Sequence, residues 1–212
     1  MQKKKRKRQK FFLIKKWDDW FIFILGVVFI VLGILAIFNS LYHKNNMQIF
    51  WMCYISLLII GFGLLRKNAW LIASQLSILA IPLIVWDIDF IHWIIFQSPL
   101  FGIADYFFIS PGFSLGKFIS LQHLVTVPLG LFSIYLIKLK KKDYWKFSMA
   151  QIVVVFLVVY FFTSPSDNIN CVFDSCVNFV GNFYYQFTWF LSFFSLIIIT
   201  SFIMNQFKWL FE

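Results

Sequence analysis

Few side chains in this sequence can do chemistry, and most of those that can sit at the ends of long apolar runs. Trp86-Asp87-Ile88-Asp89-Phe90-Ile91-His92-Trp93 closes one run, Ser120-Leu121-Gln122-His123 opens another, and Cys53 and Ser56 stand near the start of a third. Ionisable groups at membrane depth are costly and point to function. At a helical rise of about 1.5 Å per residue, Asp87 and Asp89 lie about 26 to 29 Å beyond Trp70, His123 about 8 Å beyond Phe118, and Cys53 about 6 Å beyond Ile49. All four therefore fall in one layer near one face of a bilayer. A neutral imidazole there can serve as general base for a thiol or hydroxyl, or as a metal ligand. Gln122, Thr126 and Pro128 flank His123, and Pro128 frees a backbone carbonyl one turn back, so a polar pocket can open beside it.

Spacing limits the roles. Asp89 and His92 are three apart and can share a helix face, whereas Asp87 and Asp89 are two apart and diverge by about 200°. They are a poor acid–base pair. The catalytic set expected is His123 as base, Asp87 or Asp89 as its orienting partner, and Cys53 or Ser56 as nucleophile. The alternative is an interfacial belt of Trp86, Asp87, Asp89, His92 and Trp93 with solvated carboxylates. Cys171 and Cys176 can close a small disulfide ring if their side is oxidising; free thiols and a two-thiolate metal site stay open.

The elements that carry these residues follow from composition. Of 212 residues, 61% are hydrophobic and only 13% charged, with thirty Phe and a mean hydropathy of +0.80. Such a chain cannot cover a water-facing surface, which excludes a soluble enzyme, a disordered protein and a disulfide-rich secreted domain. Continuous apolar runs of about 18 to 27 residues read as membrane helices rather than barrel strands. Six are expected, over 20–39, 49–65, 70–96, 118–137, 146–163 and 186–206, giving an all-α bundle of six transmembrane helices. A basic tail over 1–19 precedes them, loops over 97–117 and 164–185 connect them, and a short end over 207–212 follows. Ser74, Gln75, Ser77 and Gln151 suit interhelical hydrogen bonds. Gly26 and Gly33 are seven apart and Gly61 and Gly63 two apart, so neither pair makes the four-residue small-residue motif.

Charge sets the orientation. Seventeen of the nineteen Lys and Arg lie before the first run, between the second and third, between the fourth and fifth including Lys146, or after the sixth; Lys44 and Lys117 are the exceptions. The positive-inside rule then puts both termini in the cytoplasm, by default at a plasma or cell membrane. Lys3-Lys4-Lys5-Arg6-Lys7-Arg8 precedes the first run as in an uncleaved signal anchor, and can also hold anionic lipid headgroups. Membrane lipids are the expected partners; no nucleic acid and no cofactor are expected.

His123-Leu124-Val125-Thr126-Val127-Pro128, with Leu79-Ala80-Ile81-Pro82 in the preceding span, resembles the androgen-induced membrane hydrolase family. The resemblance implies six spans and a lipid-ester hydrolase that uses a membrane-embedded Thr nucleophile and a His. The second span has no Thr, so Cys53 or Ser56 would take that role. Three functions are thus expected in turn: a lipid-ester hydrolase or acyltransferase with an outer-leaflet polar pocket, a protein that binds or transports an ion, proton or metal at Asp87, Asp89 and His123, and a non-enzymatic scaffold.

Overall fold

A computed structural model describes residues 2–176 and 184–211, with side chains from residue 16 onward. Residues 177–183 of the expected 164–185 loop, and the side chains of the basic cluster at 3–8, lie outside the described residues. The protein is all-helical. Its helices are α1 (Gln2–Tyr42), α2 (Met52–Leu65), α3 (Ala69–Phe96), the short α4 (Asp105–Phe108) and α5 (Leu115–Ser120), α6 (His123–Ile137), α7 (Tyr144–Phe162) and α8 (Tyr185–Gln206). Among the described residues, five stretches are long and apolar enough to cross a membrane: Lys16–Tyr42, Ala69–Phe96, Leu115–Ile137, Tyr144–Phe162 and Tyr185–Gln206. The chain is a helical, multi-pass membrane bundle.

The basic stretch over 1–19 is helical and continuous with the first span, α1 running unbroken from Gln2; Lys, Arg and Gln are good helix formers and no Pro or Gly interrupts them. Two expectations change in detail. The span over 118–137 is divided at Leu121–Gln122. There the ladder tightens to bonds three residues apart, Leu121 N–H to Phe118 O at 3.2 Å and Gln122 N–H to Ile119 O at 3.1 Å. The second run is shorter as an α-helix than the others. Residues Asn46–Phe50 wind as a 3-10 turn, Trp51 is extended, and only 14 residues follow as α2, about 21 Å of rise.

Even so, α2 and its 3-10 turn run antiparallel beside α1 for most of its apolar length. Lys67 pairs with Asp19 at 2.6 Å at one end, and Asn45 N–H bonds Ser40 O at 2.9 Å at the other. Asp19 to Ser40 is about 32 Å of helix. Glycines let the two backbones approach. Gly26 faces Leu64 and Leu65, and Gly33 faces Leu57 and Leu58. A Cβ on Gly61 would stand 2.7 Å from Ile30 and 2.9 Å from the Gly26 carbonyl oxygen. The small-residue contact lies between helices, which spacing within one helix did not reveal.

Helix α3 is the hub, packed on α2, α6, α7 and α8. About 9 Å in from its first residue, a chain of polar side chains ties three helices together. Ser56 of α2 donates to Gln75 Oε1 at 2.8 Å; Gln75 donates to Gln151 of α7 at 2.8 Å and accepts back at 3.0 Å. Ser148 of α7 donates to Ser74 O at 2.8 Å and shares a 2.7 Å hydroxyl contact with Ser77. Within hydrocarbon these bonds replace water that is not there.

At the opposite end from Asp19 and Lys67, Cys171 and Cys176 are joined as a disulfide, with Cα atoms 5.6 Å apart. Beside it, buried Asn170 has a left-handed backbone (φ 55°). Its side chain accepts from Met52 N–H at 2.8 Å and donates to Phe50 O at 2.9 Å, while its carbonyl accepts from Trp189 Nε1 at 2.9 Å. One residue therefore pins the first turn of α2 to α8.

Gly61→Ala is expected to push α1 from α2 and cost about 1–3 kcal/mol, because its near neighbours include backbone. Gly116→Ala, whose Cβ meets nothing closer than 3.5 Å, is expected to cost little. SDS unfolding titrations of the two variants check the contrast.

Candidate functional site

The end of the bundle that carries the disulfide also carries the sequence-expected site residues, but the structure divides them. Ser56 belongs to the polar chain with Gln75 and Gln151 and has no imidazole beside it. Asp89 is fully buried and does not meet His123. Its Oδ1 accepts from the N–H groups of Leu100 and Phe101, each at 2.8 Å, and its Oδ2 from Ala104 N–H at 2.8 Å. It holds the loop after α3 against the helix.

Neighbouring residues complete that attachment. Trp93 Nε1 donates to Asp105 at 2.8 Å, and His92 Nδ1 lies 2.8 Å from Ser98 O. His92 and Asp89 thus serve the same loop rather than one another. Phe107 and Phe108 of α4 then lie against Phe90, and Phe108 stacks on Trp93 at 5.1 Å. Residues 103–108 of the loop over 97–117 form a roof, packing Ile103, Ala104, Phe107 and Phe108 on aromatic residues of α3.

Under this roof, α3 and α6 meet at Trp86 and His123. Their rings are 4.7 Å apart and nearly perpendicular, and Trp86 also stacks on Phe90 at 4.8 Å. Trp86 Nε1, Gln122 Nε2, His123 Nδ1 and Asp87 Oδ1 are buried and have no hydrogen-bond partner. Trp86 and Gln122 are 4% and 5% exposed, so bulk water does not serve them. The Thr126 hydroxyl, which carries a single proton, lies within hydrogen-bond distance of both the Gln122 carbonyl oxygen and the Gln122 side-chain amide. Thr200 and Ser201 on α8 also have unpaired hydroxyls, but a helical hydroxyl can turn to the carbonyl four residues back.

Tyr106 joins this layer from the roof. Nearly half of the residue is open, yet its hydroxyl end is turned inward beside Ser120 and the Trp86 indole, short of hydrogen-bond geometry with the latter. Burial pushes its phenol up to about 12, with Ser120 opposing the shift, and ionised Cys53 would raise it further. Cys53 is a free, half-buried thiol on the same side as Tyr106. The structure thus sets the His123 ring against Trp86 with Gln122 next to it in the chain, leaves Asp87 Oδ1 without a hydrogen-bond partner among the described residues, and removes Asp89 and Ser56 to other work.

Chemically, these three side chains carry two N–H donors and an imidazole nitrogen that donates or accepts according to tautomer. Such a set complements ligand oxygens. It has no nucleophile hydrogen-bonded to the imidazole, and among the described residues no three His, Cys, Asp or Glu side chains gather as a metal site. Trp86 and Tyr106 were missed as site residues because in a sequence rich in interfacial aromatics neither stands out; only the buried N–H of the indole marks it.

Asp89→Asn keeps one acceptor oxygen and brings an NH₂ toward backbone N–H groups, so at least one donor is orphaned at about 1–3 kcal/mol. Amide exchange at Leu100, Phe101 and Ala104 is expected to accelerate in Asp89→Asn and to stay at the parent rate in Asp87→Asn. No family model, curated protein sequence or solved structure matches this chain.

Proposed function

We propose that this chain is a six-crossing membrane protein, with both termini in the cytoplasm, that binds the oxygen-rich polar part of a membrane lipid in an outer-leaflet pocket. The observation that carries the reading is the set of buried, unpartnered atoms Trp86 Nε1, Gln122 Nε2 and His123 Nδ1 in one layer of α3 and α6. A buried polar group without a partner costs about 1–3 kcal/mol, so three of them at the same end of α3 and α6 call for a ligand that supplies acceptors. An ester carbonyl or phosphate oxygen of a lipid reaches this depth from the bilayer and meets two donors there.

Topology supports the same reading. The α2 arm matches α1 from Asp19 to Ser40, which favours a sixth crossing, and the concentration of Lys and Arg at the Asp19–Lys67 end favours a cytoplasmic location for that end. The basic stretch at the start of α1 then faces anionic headgroups, each charge contributing roughly 1 kcal/mol near the surface.

Hydrolysis or acyl transfer at the bound ester extends this reading, with the free thiol of Cys53 at the start of α2 as the attacking group. In that case Cys53, not Ser56, is the nucleophile and His123 the base.

In vesicles carrying a phospholipid with a diazirine near its glycerol, adducts are expected on α3 near Trp86 and on α6 near His123. Trp86→Phe/Gln122→Leu keeps the apolar volume, and is expected to lower that labelling about tenfold, the effect of two neutral hydrogen bonds. Unchanged labelling would contradict the pocket. The catalytic extension requires a thiol-directed lipid probe to mark Cys53 and to lose that mark in His123→Ala.

A further inference from the structure

At the opposite end of the bundle from His123, two segments distant in sequence meet in one basic surface. Helix α6 ends at Ile137, and the connection to α7 carries Lys138, Lys140, Lys141 and Lys142, with Lys146 the third residue of α7. After α8, residues Lys208–Leu210 wind as a 3-10 turn that docks on this connection. Leu139 N–H donates to Leu210 O at 2.8 Å, and Lys138 Nζ donates to Trp209 O at 2.9 Å across 71 residues of sequence. Leu139 and Leu210 are buried between the two segments, whereas Lys140, Lys141, Lys142, Lys146 and Lys208 are exposed. Docking of the turn therefore adds Lys208 to the five lysines of the connection.

The set keeps a strong positive charge. Among the described residues the ion pair formed is Lys67–Asp19, and none of these six lysines has such a partner. Asp143 is the one carboxylate between Lys138 and Lys146. It accepts from Trp70 Nε1 at 2.8 Å and feels the charges of Lys141 and Lys146, so a single acid faces six bases. Glu212 lies outside the described residues. Like charges gathered in this way repel one another, and an anion that joins them relieves the repulsion.

Aromatic rings fix the depth of these charges. Lys138 Nζ lies 4.3 Å from the centre of the Tyr135 ring, Lys142 Nζ 4.7 Å from that of Phe211, and Lys146 Nζ 5.7 Å from that of Trp145. Tyr135 and Trp209 are exposed at the ends of membrane helices, and Trp and Tyr in such places mark the headgroup layer. Cations laid over these rings stand at the level of lipid phosphates, which a soluble acidic protein reaches only by displacing lipid. Clusters of four to eight Lys or Arg beside a membrane helix bind anionic lipid in the same way. We propose that Lys138, Lys140, Lys141, Lys142, Lys146 and Lys208 form a docking surface for anionic phospholipid headgroups. Position and charge set this surface apart from the neutral donors at Trp86 and Gln122, and its residues are not those of the basic start of α1.

The test uses the full chain in phosphatidylcholine vesicles containing a trace of phosphatidylglycerol with a diazirine near its glycerol, compared with a trace of phosphatidylcholine carrying the same group. Adducts on residues 138–146 and 207–211 are expected to favour phosphatidylglycerol about fivefold, the effect of one lysine at an anionic surface. Lys140→Gln/Lys141→Gln/Lys142→Gln is expected to abolish that preference, and the matching triple Arg variant to keep it. In the parent chain, about 1 M NaCl shortens screening to about 3 Å and is expected to abolish it too, which decides the matter if the Gln variant folds poorly. Labelling near Trp86 and His123 is expected to stay at the parent level in the Gln variant, so the two sites stand or fall separately. Equal labelling by the two lipids, or a preference that survives both the Gln substitutions and salt, would overturn the surface. So would loss of the adducts to inorganic phosphate or polyglutamate at constant ionic strength, which would assign the lysines to a soluble anion or an acidic protein.

Discussion

Inside hydrocarbon there is no water to satisfy a polar atom, and this constraint governs the bundle more than any single apolar contact. Apolar surface gives helices little reason to associate when lipid is equally apolar. What distinguishes one arrangement from another is where the few polar groups can find partners. Gln75 answers this for three helices at once, taking Ser56 from α2 and Gln151 from α7, with Ser74, Ser77 and Ser148 closing the set nearby. α3 becomes the hub because it carries that residue. The close approach of α1 to α2 through Gly26 and Gly61 then works in the other way open to membrane helices, by van der Waals packing between backbones.

The same rule explains the end with the disulfide. A loop that returns over the bundle must satisfy its own backbone, and Asp89 does so by accepting three N–H groups at once. Asn170 does the equivalent for the start of α2. Asp89 looks reactive in the sequence, yet both side chains are consumed by structure. What remains after those groups are accounted for is Trp86 Nε1, Gln122 Nε2 and His123 Nδ1, which have no hydrogen-bond partner among the described residues.

Composition and run length made the helical membrane bundle legible, and the positions of Gln75 and Gln151 within apolar runs pointed to bonds between helices. Depth counting along each run also brought His123, Cys53 and Asp87 to one layer. Direction was not legible. Helical periodicity assigns angles on one helix but not the neighbour that each angle faces, so Asp89 was paired with an imidazole when it faces a loop. The division of the fourth run at Leu121–Gln122 had no breaker residue to announce it, because the tightened turn arises from backbone bonding alone. The 3-10 turn before α2 was hidden likewise within a continuous apolar run. Trp86 was read as part of an interfacial belt; its role depends on the position of one nitrogen, which residue type does not convey.

If the outer layer holds a lipid oxygen, the Trp86 indole N–H is hydrogen-bonded in a bilayer and loses that bond when ester lipids are replaced. Solid-state ¹⁵N NMR of the Trp86 indole, assigned by Trp86→Phe, reads this directly. The expected result is a hydrogen-bonded resonance in phospholipid that moves to the unbonded position in an ether-linked, phosphate-free amphiphile. One resonance position, unchanged between the two environments, would contradict the pocket.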